Sequence, residues 1–287
     1  MIGSAFGVLF DGFAYGMLLF VLSVGLSVTL GMMNFINLAH CSFAMLGGFV
    51  TVSLTNGLGW PFLASLPVAF ASAALVSVAF ERGLYRRLYG ASELDQCLLT
   101  IGIVFVSVAV AAYVYGTIQQ PLSLPAYLRG SVSILGHSFG VYRLFLIGVS
   151  IVITAALVAA LELTRFGAQV RAAVDNQRMA RGLGINVDSA FAVTFALGSG
   201  LAGLGGALAI DIVGLDPSFA LAYLVYVLIV VAVGGLGSIG GTFAAAMLLG
   251  ISDMAGKYYF PAIGSFLIYL VMVSILLWRP SGLFGRR

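Results

Sequence analysis

Asn34, Asn37 and His40 interrupt an apolar run that continues on either side of them, and Cys41 follows at once. Taking an amide or an imidazole out of water costs roughly 2–7 kcal/mol unless it meets a hydrogen-bond partner. In hydrocarbon that partner must be protein, water or a solute. Gly31, Gly47 and Gly48 flank the three, so the backbone is free to leave helical geometry or approach a neighbour closely where polar groups need partners. Such a combination suits a translocation path, or the brace of a broken helix beside one. For His40 the competing role is structural, with a ring nitrogen tied to a backbone carbonyl. A metal centre needs about three or four convergent N, O or S ligands, which this neighbourhood does not offer. Asp253, deep in a glycine-containing apolar segment, is a further path candidate, with an interhelical hydrogen bond as its competing role. Asp11, Asp211 and Asp216 lie near segment ends and read as solvated charges.

The elements that must position these groups are membrane helices. Of 287 residues 61% are hydrophobic and 8% charged, and the mean hydropathy is +1.13, whereas a soluble chain carries about 25% charged residues. Apolar runs at 10–30, 39–55, 62–80, 96–115, 141–161, 189–210, 221–233, 242–255 and 263–278 predict an all-α polytopic membrane protein with eight or nine segments. Those at 221–233 and 242–255 are short for a core of about 30 Å, so the glycine cluster between them is either a turn or a re-entrant hairpin. Residues 1–30 hold no Lys or Arg, unlike a cleaved leader, and read as a retained first span. Cys41 and Cys97 have no matching partners and read as free thiols. The whole chain, 1–287, reads as a single transmembrane domain.

The net charge of +3 does not indicate nucleic acid, because the basic residues sit in short connections. Arg82, Arg86 and Arg87 occupy one, Arg165, Arg171, Arg178 and Arg181 a second, and Arg279, Arg286 and Arg287 the tail, against Arg129, Arg143 and Lys257 on the other side. By the positive-inside rule the first set and the C-terminus are cytoplasmic, and an odd number of spans puts the N-terminus outside. The outer connection 117–140, with Pro121 and Pro125, is large enough for a docking surface but not for a domain.

The inner connection 164–188 reads TRFGAQVRAAVDNQRMARGLGINVD. Arg171, Asp175 and Arg178 share one helical face, Val170, Ala173 and Val174 another, and Gly182 with Gly184 then ends the pattern. One short amphipathic helix at the membrane surface is expected. Its alternatives are a solvated connector and a docking element. Elsewhere, Gly12 with Gly16, Ser199 with Gly203, and Gly237 with Gly241 have the small-xxx-small spacing that lets membrane helices touch. GLGSIG at 235–240 formally fits G-x-G-x-x-G, but it joins two apolar spans rather than a strand and a helix of a βαβ unit, so dinucleotide binding is rejected.

The first polar block, GMMNFINLAHCSFAMLGGF at 31–49, resembles the INxAHG…MLGA signature of LivH-type permeases, the membrane subunits of ABC importers for branched-chain amino acids and related compounds. The inner connection is similar to that family's T-x-x-G-x-x-x-R-A-x-A-x-[DN]…A-x-x-x-G-I-[ND] loop, with Gly167, Arg171, Ala172, Ala180, Gly184, Ile185 and Asn186 as matching positions. LAGLGGALA at 201–209, VGGLGSIGGTFAAAMLLG at 233–250 and RPSGLFG at 279–285 agree as well. Cys41 departs from the pattern, standing where the family has glycine.

The resemblance implies a bacterial inner-membrane importer subunit without cofactor or metal. It would work with a homologous LivM-type permease, two cytoplasmic ATPases and an external solute-binding protein, whose basic groups Asp211 and Asp216 could meet. Loop 164–188, and within it Gly167, Arg171, Ala172, Asp175, Arg178, Gly182, Gly184 and Asn186, becomes the counterpart of the coupling helix that packs into the ATPase. Amides, urea and aromatic acids are cargoes of related systems. The chain holds no G-x-x-x-x-G-K-[ST], HExxH or GxSxG, so ATP hydrolysis falls to other subunits and an enzyme is not expected. The competing class is an autonomous channel or secondary transporter, which would move solute without an ATPase.

Overall fold

The computed structural model describes residues 2–33, 35–134 and 137–285; Asn34, Arg286 and Arg287 lie outside them. Among the described residues the helices are α1 (Ile2–Met33), α2 (His40–Val52), α3 (Phe62–Gly83), α4 (Glu93–Tyr115), α5 (Val141–Glu162), α6 (Arg165–Asp175), α7 (Gln177–Gly182), α8 (Val187–Val213), α9 (Phe219–Gly234), α10 (Ile239–Tyr259) and α11 (Gly264–Trp278). The protein is 79% helical, and six helices, α1, α3, α4, α5, α8 and α10, are long and apolar enough to cross a membrane. It is a multi-pass membrane protein. Two outcomes differ from expectation. The segment thought short at 242–255 belongs to the 21-residue α10, and connection 117–140 contains an antiparallel hairpin of β1 (Ser131–Ile134) and β2 (His137–Gly140).

Connections gather at two ends of the bundle. At one, Phe35 meets Tyr85 and Tyr89, Gly31 meets Gly237, Arg86 pairs with Asp188, and the tail returns to α9 through Leu283 N–H to the Val233 carbonyl, 2.7 Å. At the other, Phe10 packs edge-on to Phe139, Asn56 donates to the Pro121 carbonyl at 2.7 Å, and Gln120 N–H donates to the Leu215 carbonyl at 2.7 Å. We call these the α6–α7 end and the hairpin end. Asp11 pairs at the hairpin end with Arg143, so it is not the unpartnered charge the sequence implied. Asp216 holds an Asx turn by accepting from Ser218 N–H at 2.7 Å.

Two helices form the centre. The apolar windows of α1 and α8 are 89% and 78% buried, those of α4 and α5 only 17%, so α4 and α5 turn apolar surface outward to lipid or another subunit. Glycine lets the central helices come together. A Cβ at Gly25 would overlap the Gly198 carbonyl of α8, and one at Gly16 would stand 2.8 Å from the Ala246 carbonyl of α10. Gly47 of α2 and Gly203 of α8 meet backbone to backbone, with Ala73 of α3 against the same spot. In an apolar solvent helices associate by packing and hydrogen bonding rather than by the hydrophobic effect. Close approach therefore matters here, as does the Thr242 hydroxyl donating to Ser27 Oγ, 2.8 Å, between α10 and α1.

Candidate translocation path and coupling surface

Between α1 and α2 the backbone of residues 35–39 is non-helical. Ile36 N–H donates to the Gln96 side-chain oxygen of α4 at 3.1 Å, while Gln96 Nε2 donates to the Leu88 carbonyl at 3.1 Å. Asn37 Oδ1 accepts from Ala39 N–H at 3.1 Å. His40 Nε2 lies 3.0 Å from the Leu22 carbonyl of α1, so this nitrogen carries the proton. Leu22 precedes the end of α1 at Met33 by a distance of about 16 Å at 1.5 Å per residue. The chain thus climbs back along α1, and α2 begins near mid-bundle. Asn37 and His40 are each 1% exposed and Cys41 is buried beside them. The polar groups brace a broken backbone; Asn37 Nδ2 and His40 Nδ1 are left without partners among the described residues.

Asp253 is fully buried on α10 and accepts from Lys257 one turn on, Nζ to Oδ2 2.6 Å. Its partner is on its own helix, which corrects the interhelical bond anticipated from sequence: α10 continues to Tyr259, so a residue at i+4 falls on the same face. Two cavities are sizeable. One of about 690 Å³ runs between α2, α3 and α4, lined by apolar side chains with Ser42 and Ser107 bonded to each other at 2.8 Å. The other, about 480 Å³, opens at the α6–α7 end between Gly31, Glu162, Arg171, Asp175, Ser238 and Phe284. Asn37, His40, Cys41 and Asp253 line neither.

The expected single amphipathic helix of 164–188 is two helices. Asn176, φ −155°, closes α6 and caps α7, its Oδ1 accepting from Met179 N–H at 2.9 Å. Asn competes with helical continuation by this bond, so Arg178 leaves the face that Arg171 and Asp175 would share with it. Thr164 caps α6 by accepting from Gly167 N–H at 3.2 Å. Gly167, Val170 and Ala173 turn inward, and a Cβ at Gly167 would overlap the Leu161 carbonyl. Arg171 donates to that same carbonyl, a favourable place for a cation because the last carbonyls of a helix carry partial negative charge. Ala172 is half-buried beside it. Gly182 is the last residue of α7, and Gly184 supplies the left-handed turn, φ +82°, while Ile185 N–H returns to the Ala180 carbonyl at 3.0 Å. Asn186 then caps α8, its Oδ1 accepting from Ser189 N–H at 3.0 Å. Outward, this end presents Leu163, Met179, Leu183, Leu236 and Phe284 among its arginines.

Over residues 8–276 the chain matches the family described as branched-chain amino acid transport system, permease component. The chain belongs to that family. The high-affinity branched-chain amino acid transport system permease protein BraD of Pseudomonas aeruginosa is 26% identical to it, over 97% of this chain and 95% of that protein. The corresponding permease protein LivH of Escherichia coli is also 26% identical, over 97% and 94%. A probable LivH of Methanocaldococcus jannaschii is 28% identical, over 94% and 90%. The solved structure of PsaBC from Streptococcus pneumoniae in complex with Fab gives a TM-score of 0.49 at 16% identity, covering 97% of this chain and 95% of that one.

Several residues that organise this permease-family chain escaped sequence reasoning. Asp188 joins three elements, pairing with Arg86 before α4 and with Arg181 of α7, Nη2 to Oδ1 2.9 Å. Exposed as these pairs are, they fix geometry more than they stabilise. Glu81, 2% exposed at the end of α3, accepts from the Tyr89 hydroxyl at 2.8 Å. Burial, and after it the bond to Glu81, holds the Tyr89 phenol well above the usual tyrosine range, so it stays a donor. Only the FERG and RRLYG composition around the α3–α4 connection hinted at this cluster.

Proposed function

We propose that this chain is the transmembrane subunit of an ATP-driven importer of branched-chain amino acids in the bacterial inner membrane. The observation that carries the reading is the family match from residue 8 to 276, with relatives named for that transport along nearly their whole length. Nine helices, α1–α5 and α8–α11, lie in the bilayer in this reading, with the N-terminus outside and the arginine-bearing α6–α7 end and C-terminus in the cytoplasm. Residues 1–287 act as one permease domain, without metal or cofactor of their own. A LivM-type permease is the partner in the bilayer, one of two cytoplasmic ATPases docks at α6–α7, and a solute-binding protein delivers cargo at the hairpin end. Exposed Leu163, Met179, Leu183 and Phe284 beside Arg165, Arg178 and Arg181 support the docking role, since apolar side chains at a basic cytoplasmic surface have no lipid to cover them. The segment with Asn37, His40 and Cys41 holds α2 in its raised position beside the path. ATP-driven closure reaches it through α6 and α5 as tilts of packed helices.

Reconstitution tests this. The chain alone in liposomes is expected neither to hydrolyse ATP nor to accumulate leucine. Together with its permease partner, the ATPases and leucine-loaded binding protein it is expected to do both. Uptake by the isolated chain would make it an autonomous channel or secondary transporter instead.

A further inference from the structure

Of the two buried carboxylates among the described residues, Glu81 and Asp253, only the second lies within the length of a long apolar helix away from both ends. It sits in α10 about 9 Å short of Tyr259. Lys257 satisfies Oδ2 at 2.6 Å, and Oδ1 has no partner among the described residues. Lys257 is itself 47% exposed, spends one of its three N–H donors on Asp253, and stands 5.6 Å from the centroid of the Tyr15 ring. Around the pair stand more rings. Tyr223 and Tyr226 of α9 are 5.7 Å apart, and Tyr269 of α11 is 6.4 Å from Tyr226. Tyr15, Tyr223 and Tyr226 all lie within electrostatic range of Asp253. Four helices, α1, α9, α10 and α11, therefore converge on one ion pair near the hairpin end.

An ion pair with one member fully buried is a poor way to stabilise a helix bundle, since apolar side chains of similar volume often do as well or better. A carboxylate oxygen left unpaired costs more still. What the arrangement does offer is a matched set of unused groups: one anionic acceptor on Asp253, two N–H donors on Lys257, and aromatic faces between them. We infer that the Asp253–Lys257 pair is a way-station for a zwitterionic α-amino acid. When transport parts the helices packed over Asp253, the solute's ammonium bonds Oδ1 over the tyrosine faces, its carboxylate takes the free donors of Lys257, and its aliphatic side chain lies on the rings of Tyr223, Tyr226 and Tyr269. The inference rests on the proposed import of amino acids and extends it to the residues that touch cargo. An uncharged amide or urea brings no such pair of charges and gains little there.

The pair also explains release. A lone buried carboxylate would hold an ammonium too well for transit, whereas here Lys257 stays bonded to Oδ2 and offsets part of the negative charge, which weakens the hold of Asp253 on the departing ammonium. Passage requires binding favourable enough to enter and weak enough to exit.

The test uses the complete importer in liposomes of phosphatidylethanolamine and phosphatidylglycerol, with radiolabelled leucine as probe. Asp253→Asn combined with Lys257→Met removes both charges and leaves neither unpaired, so a purely structural pair should tolerate it. The double variant is expected to assemble at wild-type yield and to take up leucine about tenfold more slowly or worse. Exchanging the pair, Asp253→Lys with Lys257→Asp, should restore part of the uptake, because a zwitterion can turn end for end. Wild-type uptake by the neutral double variant overturns the inference, and so does its failure to assemble, which would make the pair a folding element. If the wild-type importer moves no amino acid, the parent reading falls first, and that outcome is distinct from both.

Discussion

Gly206→Val and Gly203→Val are expected to leave no folded permease, while Gly102→Ala is expected to leave it unharmed or slightly more stable. A Cβ at Gly206 would overlap the Ala44 carbonyl of α2, and one at Gly203 would lie 2.5 Å from the Ala73 Cβ and 2.9 Å from the Ala69 carbonyl. In both cases the obstacle is backbone or a side chain with no rotamer to yield, so α2, α3 and α8 must separate. Overpacking a well-ordered core costs about 1–3 kcal/mol when side chains can shift; helices forced apart at a shared junction should lose more, against a total stability of roughly 5–15 kcal/mol. Gly102, in the middle of α4, faces open space, and Ala there gains up to about 1 kcal/mol of helix propensity. Size-exclusion profiles and melting temperatures of the co-expressed complex check the contrast. A monodisperse Gly206→Val complex with wild-type melting would mean that the α2–α8 crossing does not hold the bundle.

The crossing of α1 with α10 has a similar basis. Apolar runs of 13 to 22 residues announced the helices, because such runs have little other use in a chain with so few charges. Small-xxx-small spacing at Gly12 and Gly16 marks a helix face made for contact, yet nothing local says that the face meets Ile251 and Ala246 of α10, more than two hundred residues on. The break after α1 was legible from Asn37 and His40 for a related reason, since polar groups in an apolar run demand partners. The partners themselves, the Leu22 carbonyl and Gln96, were not, because any carbonyl or amide could have served. Asn34 belongs to the same reading but lies outside the described residues.

Two local signals carry more than the run lengths do. Asn176 was treated as one more residue in a helix when its side chain is among the strongest available caps, so one helix was expected where α6 and α7 form. The alternation of serine with Val132 and Phe139 was a strand signal hidden in a connection judged only by its length. At the other extreme, the return of the tail onto α9 rests on Leu283 N–H and Phe284 N–H bonding the Val233 and Gly234 carbonyls at 2.7 and 3.2 Å. Backbone bonds of that kind leave no mark in side-chain pattern.

The split of the inner connection changes what mutation of it should do. Arg171→Glu is expected to cut ATP-dependent uptake by about tenfold or more while the chain still inserts and assembles; Arg178→Glu should act through docking alone. Arg171 fastens α6 to the last turn of α5 through the Leu161 carbonyl, and Gly167 seats the backbone against the same atom. A carboxylate in place of the guanidinium would stand beside the negative end of the α5 dipole, an unfavourable exchange of about 0.3–1 kcal/mol on each side of the sign change. That is too little to unfold a bundle held by α1 and α8, and enough to free one end of an 11-residue helix. A loosened α6 can still touch an ATPase but no longer carries its displacement into α5. The expected signature is therefore ATP hydrolysis that persists while leucine uptake stimulated by loaded binding protein collapses. For Arg178, exposed on α7 and without an ion-pair partner among the described residues, reversal of charge should instead lower copurification of the ATPases, in a salt-dependent manner. Normal uptake in both variants would reduce α6 and α7 to a connector, and would shift the mechanical link to the remaining surface at that end, where the α9–α10 turn and the returning tail meet.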